Sequence, residues 1–344
     1  SKINNMEDID FNFQDSESQK EDEKLIKDRS KLELGYIPDE IKHRSEQINK
    51  LAHYTLSDVA NGKKGTDSIV FGPPGTGKTA TVKFLREQTE KQNDQREFNI
   101  EYINCSTHSS SQAVFRELCN RVGTEYKQGV EISKNINRFK EELERQDYGS
   151  ILIVLDEIQE LRTDRRDYLS KPVLYQLSRP DEAESEKNWE SNITVIGISN
   201  DEDILDYLEG DVISSLEGPK SVHFPQYTEE EIIDILKDRQ QKAYTEAVLS
   251  AAALRKIARE VSDNFDGDIR KGIDILKKIP KSAGDVMMLK NNEQKQIDTV
   301  DRIMTEIQKD RIRSTMYSEE DDFYIIMSAL YQQIIENKAR LKYI

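Results

Sequence analysis

The sequence predicts a doubly wound α/β domain built around a phosphate-binding loop, followed by an all-helical domain. Three observations carry that reading. Gly72-Pro73-Pro74-Gly75-Thr76-Gly77-Lys78-Thr79 fits G-x-x-x-x-G-K-[ST]. Short apolar runs, Ile151 to Leu155 above all, alternate with amphipathic stretches, as parallel strands alternate with crossover helices. After Pro225 the apolar runs stop and only helical periodicity remains.

Residues 1–30 are rich in Asp, Glu, Lys, Gln and Ser with few apolar anchors, and predict a disordered acidic arm. The α/β domain is expected over 31–226. It opens with a helix over 40–61 whose inward positions are Ile41, Ile48, Leu51, Leu56 and Val59. Residues 67–71 form a short apolar run ahead of the glycine-rich loop and read as a buried strand. Residues 80–90 read as the helix behind the loop, with Val82, Phe84 and Leu85 facing inward.

A second strand is expected over 99–104, then helices near 110–122 and 131–146. The continuous run 151–155 reads as a central strand buried on both faces. Residues 194–198 form another such strand, and 222–224 a shorter one toward the sheet edge.

Thr228-Glu229-Glu230-Glu231 is a capping box and opens a helix through about residue 243. Further amphipathic helices are expected over 250–265, 268–279 and 299–310, with 280–297 as a partly irregular connection. A helical lid domain is therefore assigned to 227–297, and a linker helix plus further helical sequence to 298–344. Phe323, Ile326, Met327, Leu330 and Ile334 lie on one helical stripe in that last stretch.

The chain has 344 residues, enough for two domains and part of a third, and carries a formal net charge of −16. That balance excludes a generally basic nucleic-acid binder, so any DNA contact must come from local basic patches. The two cysteines, Cys105 and Cys119, have neither metal-ligand spacing nor the number for a disulfide framework, which points to a reducing compartment. No apolar run approaches the ~18 residues that span a bilayer, and the polar N-terminus does not read as a signal peptide.

The loop spacing has a mechanical basis. Glycines let the backbone of residues 75–80 (Gly75, Thr76, Gly77, Lys78, Thr79, Ala80) curl so that N–H groups converge on a phosphate at a helix N-terminus. Lys78 supplies a point charge to the phosphates and Thr79 a hydroxyl ligand for Mg²⁺. Asp156 and Glu157 follow the central strand directly. If that strand lies beside the phosphate-loop strand, Asp156 reaches the Mg²⁺ shell and Glu157 activates a water. Asn200, at the tip of the 194–198 strand, is a candidate for holding that water, although asparagine is also an ordinary turn residue. Arg270 opens a helix of the second domain and is a candidate for reaching the phosphates; alone it would read as a surface arginine.

Taken together, these elements resemble the AAA+ superfamily and, more narrowly, archaeal replication initiators of the origin-recognition and cell-division-control type. The resemblance spans about residues 32–317. It rests on Tyr36-Ile37-Pro38 to His43-Arg44, on the phosphate loop, and on Tyr102-Ile103-Asn104-Cys105. It rests further on LDEI at 155–158, Leu174 to Leu177, IGISND at 196–201, SSL at 214–216 and GDIRKGIDIL at 267–276. The resemblance implies an AAA+ P-loop NTPase sheet, a helical lid and a C-terminal winged-helix domain, of which residues 318–344 match only the start.

It also implies roles. Lys78, Thr79, Asp156 and Glu157 match the two Walker motifs, with Thr79 and Asp156 at Mg²⁺. Asn200 matches sensor 1 and Arg270 sensor 2. Tyr227 and Arg239 match nucleotide contacts at the base of the lid, with Ile37 and Pro38 on the other side of the adenine. A helical insertion that contacts DNA in the family falls on 107–128 here, with Arg116, Arg121 and Lys127 as candidate phosphate neighbours; solvated helix charges are an equal reading.

The implied function is an ATP-binding initiator that recognises double-stranded origin DNA and helps load the replicative helicase, alone or with other initiator subunits. It would work as a slow ATP/ADP switch with Mg²⁺, in the cytoplasm at the nucleoid. A clamp-loader-like or regulatory AAA+ subunit acting through protein partners is the alternative. Where the family carries an arginine finger just before SSL, this chain reads Glu209-Gly210-Asp211-Val212-Ile213. Such a finger contributes about 10³–10⁵ in rate, so Asp211 in its place implies slow turnover.

Overall fold

The computed structural model describes residues 26–92, 98–146, 149–161, 173–174, 176–177, 192–207, 220–245, 248–283, 292–318 and 331–332. The acidic arm up to residue 25, Asp211 with the SSL triplet, and nearly all of the 318–344 stripe lie outside them. The chain divides into two compact units. One holds Glu33–Ile235 with Glu260–Arg270; the other holds Ser1–Leu32, Leu236–Arg259 and Lys271–Ile344.

The first unit is built on five parallel strands: β1 (Ser68–Phe71), β2 (Phe98–Asn104), β3 (Ser150–Asp156), β4 (Asn192–Ser199) and β5 (Lys220–His223). Their order across the sheet is β2-β3-β4-β1-β5, which puts β5 at an edge as its short apolar run suggests. The α/β doubly wound reading therefore stands. One expectation is corrected. The strand carrying Asp156 is not beside the strand that feeds the phosphate loop, because β4 lies between them.

Alternation along β3 explains why it is apolar throughout. Ile151, Ile153 and Leu155 enter one core with Val114, Phe115 and Leu118 of the helix Ser111–Val122 and Ile136 and Phe139 of the helix Ile132–Arg145. Leu152 and Val154 enter the other core, with Leu51, Leu56 and Val59 and with Val82 and Leu85 of the helix Lys78–Gln92. Successive strand side chains point to opposite faces, so a strand covered on both faces needs every position apolar. At the bottom of the sheet Asp67 is buried, with its Oδ1 accepting the Val195 N–H at 2.7 Å.

The first expected helix is interrupted. His43 has φ 59°, so the chain turns there and regular helix begins at Ser45. Ala52–Leu56 then forms a π-helical turn that keeps Leu51, Leu56 and Val59 on the core side.

The second unit is helical in all its longer elements, and it is pinned by buried amides and hydroxyls. Gln240 Oε1 accepts the N–H groups of Val248 (3.1 Å) and Leu249 (2.6 Å), and Gln296 Oε1 accepts that of Ser250 at 2.8 Å. In the first unit the capping box at 228 forms: Thr228 N–H donates to Glu231 Oε2 at 2.9 Å and Glu231 N–H to Thr228 Oγ1 at 3.3 Å.

The expected stop at residue 279 is corrected. The helix Ile269–Ala283 continues through Pro280. Proline cannot donate to the carbonyl four residues back, and the Leu276 carbonyl instead accepts the Tyr244 hydroxyl at 2.7 Å. The helix expected over 299–310 spans Glu293–Ser318, so the end of the expected irregular connection is helical. Among the described residues, no helix is long and apolar enough to cross a membrane.

Candidate nucleotide site

The loop between β1 and the helix Lys78–Gln92 has the geometry its glycines permit. Gly75 and Gly77 have φ of 75° and 88°, a left-handed conformation that side-chain-bearing residues avoid. Each is also crowded. A Cβ on Gly75 would stand 1.9 Å from Asp268 Oδ1, and one on Gly77 would stand 2.6 Å from the Tyr227 hydroxyl. The first N–H groups of the helix have no partner within it, so they add donors and the positive end of the helix dipole.

Lys78 is 4% exposed and donates from Nζ to the carbonyls of Gly72 and Pro73, at 2.7 Å each. Burial, partly countered by the Asp156 charge, pushes its ammonium down from 10.5 to about 8. Thr76 Oγ1 donates to the Pro73 carbonyl at 2.9 Å and tightens the same turn.

Thr79 Oγ1 donates to Asp156 Oδ2 at 2.8 Å. Two strand spacings, roughly 10 Å, separate β1 from β3, and the helix that begins at Lys78 carries Thr79 across the intervening β4 end. Asp156 Oδ1 accepts the Glu157 N–H at 2.9 Å, and Oδ2 also accepts the Tyr102 hydroxyl. Glu157 itself sits at φ 59°, a left-handed conformation in which glycine would be the unstrained choice. Asn200 follows β4, and its N–H donates to Gln159 Oε1 at 3.2 Å.

Arg270 shares the compact unit of the phosphate loop. Its Nε and Nη2 grip the Asp268 carboxylate at 2.8 Å and 2.7 Å. Asp268 Oδ1 also caps the helix by accepting the Arg270 N–H at 3.0 Å. The Asp268 bond is the main influence raising the Arg270 guanidinium, and the Glu157 carboxylate adds to it.

Ile37 and Pro38 are half-buried in the same unit. Tyr227 is 5% exposed, with its ring covered by the Arg44 guanidinium. Arg239 belongs to the other unit, where Nη1 donates to the Lys31 carbonyl at 2.8 Å. Lys27 and Asp28 N–H both donate to the Ala243 carbonyl at the C-terminal end of the helix Glu229–Ala243. In the 107–128 stretch, Arg116 and Lys127 are exposed, while Arg121 is engaged by Glu117 (2.8 Å) and Glu101 (3.4 Å).

Three residues of this region escaped the sequence reading as individuals. Arg44 is 2% exposed and donates to the carbonyls of Thr76 (2.9 Å), His43 (2.8 Å) and Pro225 (2.7 Å). Tyr102 and Asp268 are the others. All three stood inside quoted motifs, but nothing in spacing alone says which carbonyl or carboxylate a lone Arg, Tyr or Asp will meet.

The chemistry of this set fits a magnesium nucleotide. A buried cation and helix-start N–H groups suit phosphate. Thr79 gives its only proton to Asp156, which leaves its oxygen lone pairs for a hard cation. Fold and site together define a P-loop NTPase of the AAA kind, and the family model described as "AAA domain" matches residues 65–197.

The chain is 31% identical over 294 residues to the ORC1-type DNA replication protein 1 of Sulfurisphaera tokodaii, covering 84% of this chain and 69% of that one. It is 32% identical over 256 residues to the Archaeoglobus fulgidus protein of the same name, covering 74% of this chain and 59% of the relative. The solved structure of the Aeropyrum pernix ORC1 protein in complex with DNA superposes with a TM-score of 0.70 at 25% identity, over 87% of this chain and 74% of that one. The chain belongs to the ORC1-type DNA replication protein family of archaea.

Proposed function

We propose that this chain binds ATP and ADP with Mg²⁺ and uses the nucleotide state to control contacts with double-stranded origin DNA, with other initiator subunits and with the replicative helicase. The observation that carries the reading is the Thr79–Asp156 bond beside the buried Lys78, which assembles a cation-and-phosphate donor set from β1, β3 and one helix. The AAA family match supports nucleotide binding. The Aeropyrum relative in complex with DNA supports duplex DNA as a partner.

In this reading the N–H groups of residues 75–80 and the Lys78 ammonium hold the phosphates, and Thr79 and Asp156 hold the cation. Bound Mg²⁺ would neutralise phosphate charge as the γ-phosphoryl group transfers. Glu157 accepts a proton from the attacking water, and Asn200 orients that water. Arg270, released from Asp268, faces the phosphates. Ile37, Pro38 and Tyr227 are assigned to the base and its surroundings. Turnover is slow, because Asp211 stands where the family's arginine finger is expected.

Calorimetric titration of the pure chain with ATP and ADP, with and without Mg²⁺, tests this directly. Mg²⁺-dependent binding that Lys78→Ala abolishes is expected; no heat in any arm would overturn the reading. Duplex binding across a salt series, with and without ATP, tests the DNA half. Phosphate-dominated contact gives a steep fall of log K with log salt.

A further inference from the structure

The Asp156 carboxylate is held from three directions. Thr79 Oγ1 and the Tyr102 hydroxyl donate to Oδ2, and the Glu157 N–H donates to Oδ1. An ionised carboxylate offers about four lone-pair sites, so the protein's own donors fill most of them and fix its rotation. The phosphate-loop signature and the strand-end carboxylates account for Thr79, Asp156 and Glu157. They do not account for Tyr102.

Tyr102 comes from β2, whose register sets Tyr102 level with Val154 and Asn104 level with Asp156. Its ring packs against the core that contains Val82 and Leu85 of the helix behind the loop. From that same helix the Lys83 ammonium lies 4.6 Å from the ring centroid, within cation–π range. The phenol is therefore fixed at both ends, its face by Lys83 and its hydroxyl by Asp156.

We propose that Tyr102 is a positioning residue for the cation site: its hydroxyl locks the Asp156 carboxylate in the orientation that takes the Thr79 proton and turns the Thr79 lone pairs outward. The proposal rests on the magnesium-nucleotide reading above. Removing Tyr102's oxygen leaves Asp156 with two donors instead of three and loosens its hold on that orientation. Groups that orient metal ligands from outside typically contribute 10–100-fold to metal affinity.

The test is a Mg²⁺ titration of the full chain holding a fluorescent ADP analogue, comparing wild type, Tyr102→Phe, Asp156→Asn and the double variant, with melting temperatures measured alongside. For Tyr102→Phe, the Mg²⁺ concentration at half-saturation should rise about tenfold. Affinity for the analogue in the absence of Mg²⁺ should not change. In the Asp156→Asn background, Tyr102→Phe should add no further shift.

An unchanged Mg²⁺ midpoint in Tyr102→Phe overturns the proposal. So does an equal shift in both backgrounds, which would assign the effect to ring packing rather than to the hydroxyl–carboxylate bond. Wild-type protein that binds the analogue without any Mg²⁺ dependence, or not at all, removes the underlying cation reading instead, and is distinguishable from both.

Discussion

The Arg44 guanidinium lies 3.7 Å from the centroid of the Tyr227 ring, and the same group donates to the Thr76 carbonyl of the phosphate loop. It thereby joins the segment entering the sheet, the loop, and the stretch following β5, where Pro225 supplies a third carbonyl. A planar fork can serve several carbonyls while its face covers an aromatic ring; an ammonium cannot.

Arg44→Lys should therefore behave as a drastic change. It leaves buried carbonyls without donors and uncovers Tyr227, for an expected loss of about 3 kcal/mol in unfolding free energy. Denaturant unfolding measures that loss, and nucleotide titration should show weaker binding because Thr76 is no longer held. A stability within 0.5 kcal/mol of wild type, roughly the ordinary surface-substitution range, would count against the hub role.

Lys78 makes stability and binding depend on pH in opposite senses. Its ammonium falls from 10.5 to about 8 in the folded chain, chiefly through burial. Between those values the unfolded chain holds the proton and the folded chain does not, so nucleotide-free stability gains from this group as pH rises from 8 to 10.5. The gain is of order 3 kcal/mol. Phosphate favours the charged ammonium, so nucleotide affinity should fall as pH rises through 8. Calorimetry in buffers of different ionisation enthalpy should show proton uptake on binding above pH 8, and Lys78→Met should lose it.

Gly75 and Asp268 should be coupled. Gly75→Ala meets both a left-handed backbone and the Asp268 carboxylate. Asp268→Ala alone removes a helix cap, costing about 1 kcal/mol. Combining the two should cost less than their sum, since the carboxylate clash is removed, while the Asp268 Cα at 2.7 Å and the backbone strain remain. A double-mutant cycle read by denaturant midpoints decides this; strict additivity would contradict the contact.

Glu157→Gln should separate binding from turnover. It keeps the shape of the side chain but cannot take a proton, so single-turnover hydrolysis should fall by about 10²–10⁴. ATP affinity should stay within about twofold. An unaltered hydrolysis rate would exclude Glu157 as the base.

The sheet was legible because its physics is local. A strand covered on both faces must be apolar at every position, and Ile151 to Leu155 say so directly. Strand order was not, because the helix behind the loop lets Thr79 reach Asp156 past β4, and no local pattern records that span. The end of the helix at Ala283 was hidden by Pro280, whose missing donor is replaced by Tyr244, a residue 32 positions from the carbonyl it serves. Arg44 was hidden for a related reason. Arginine is ordinarily a surface residue, and only the folded chain gathers the three carbonyls that justify burying it.

Glu157 holds a left-handed backbone that costs on the order of 1–3 kcal/mol for a residue of its kind. Random variation screened only for heat resistance would drift there toward glycine or asparagine, which adopt that conformation with little or no penalty. Such survivors would be hardier and inert. A carboxylate at position 157 is thus kept against the thermodynamic interest of the folded chain.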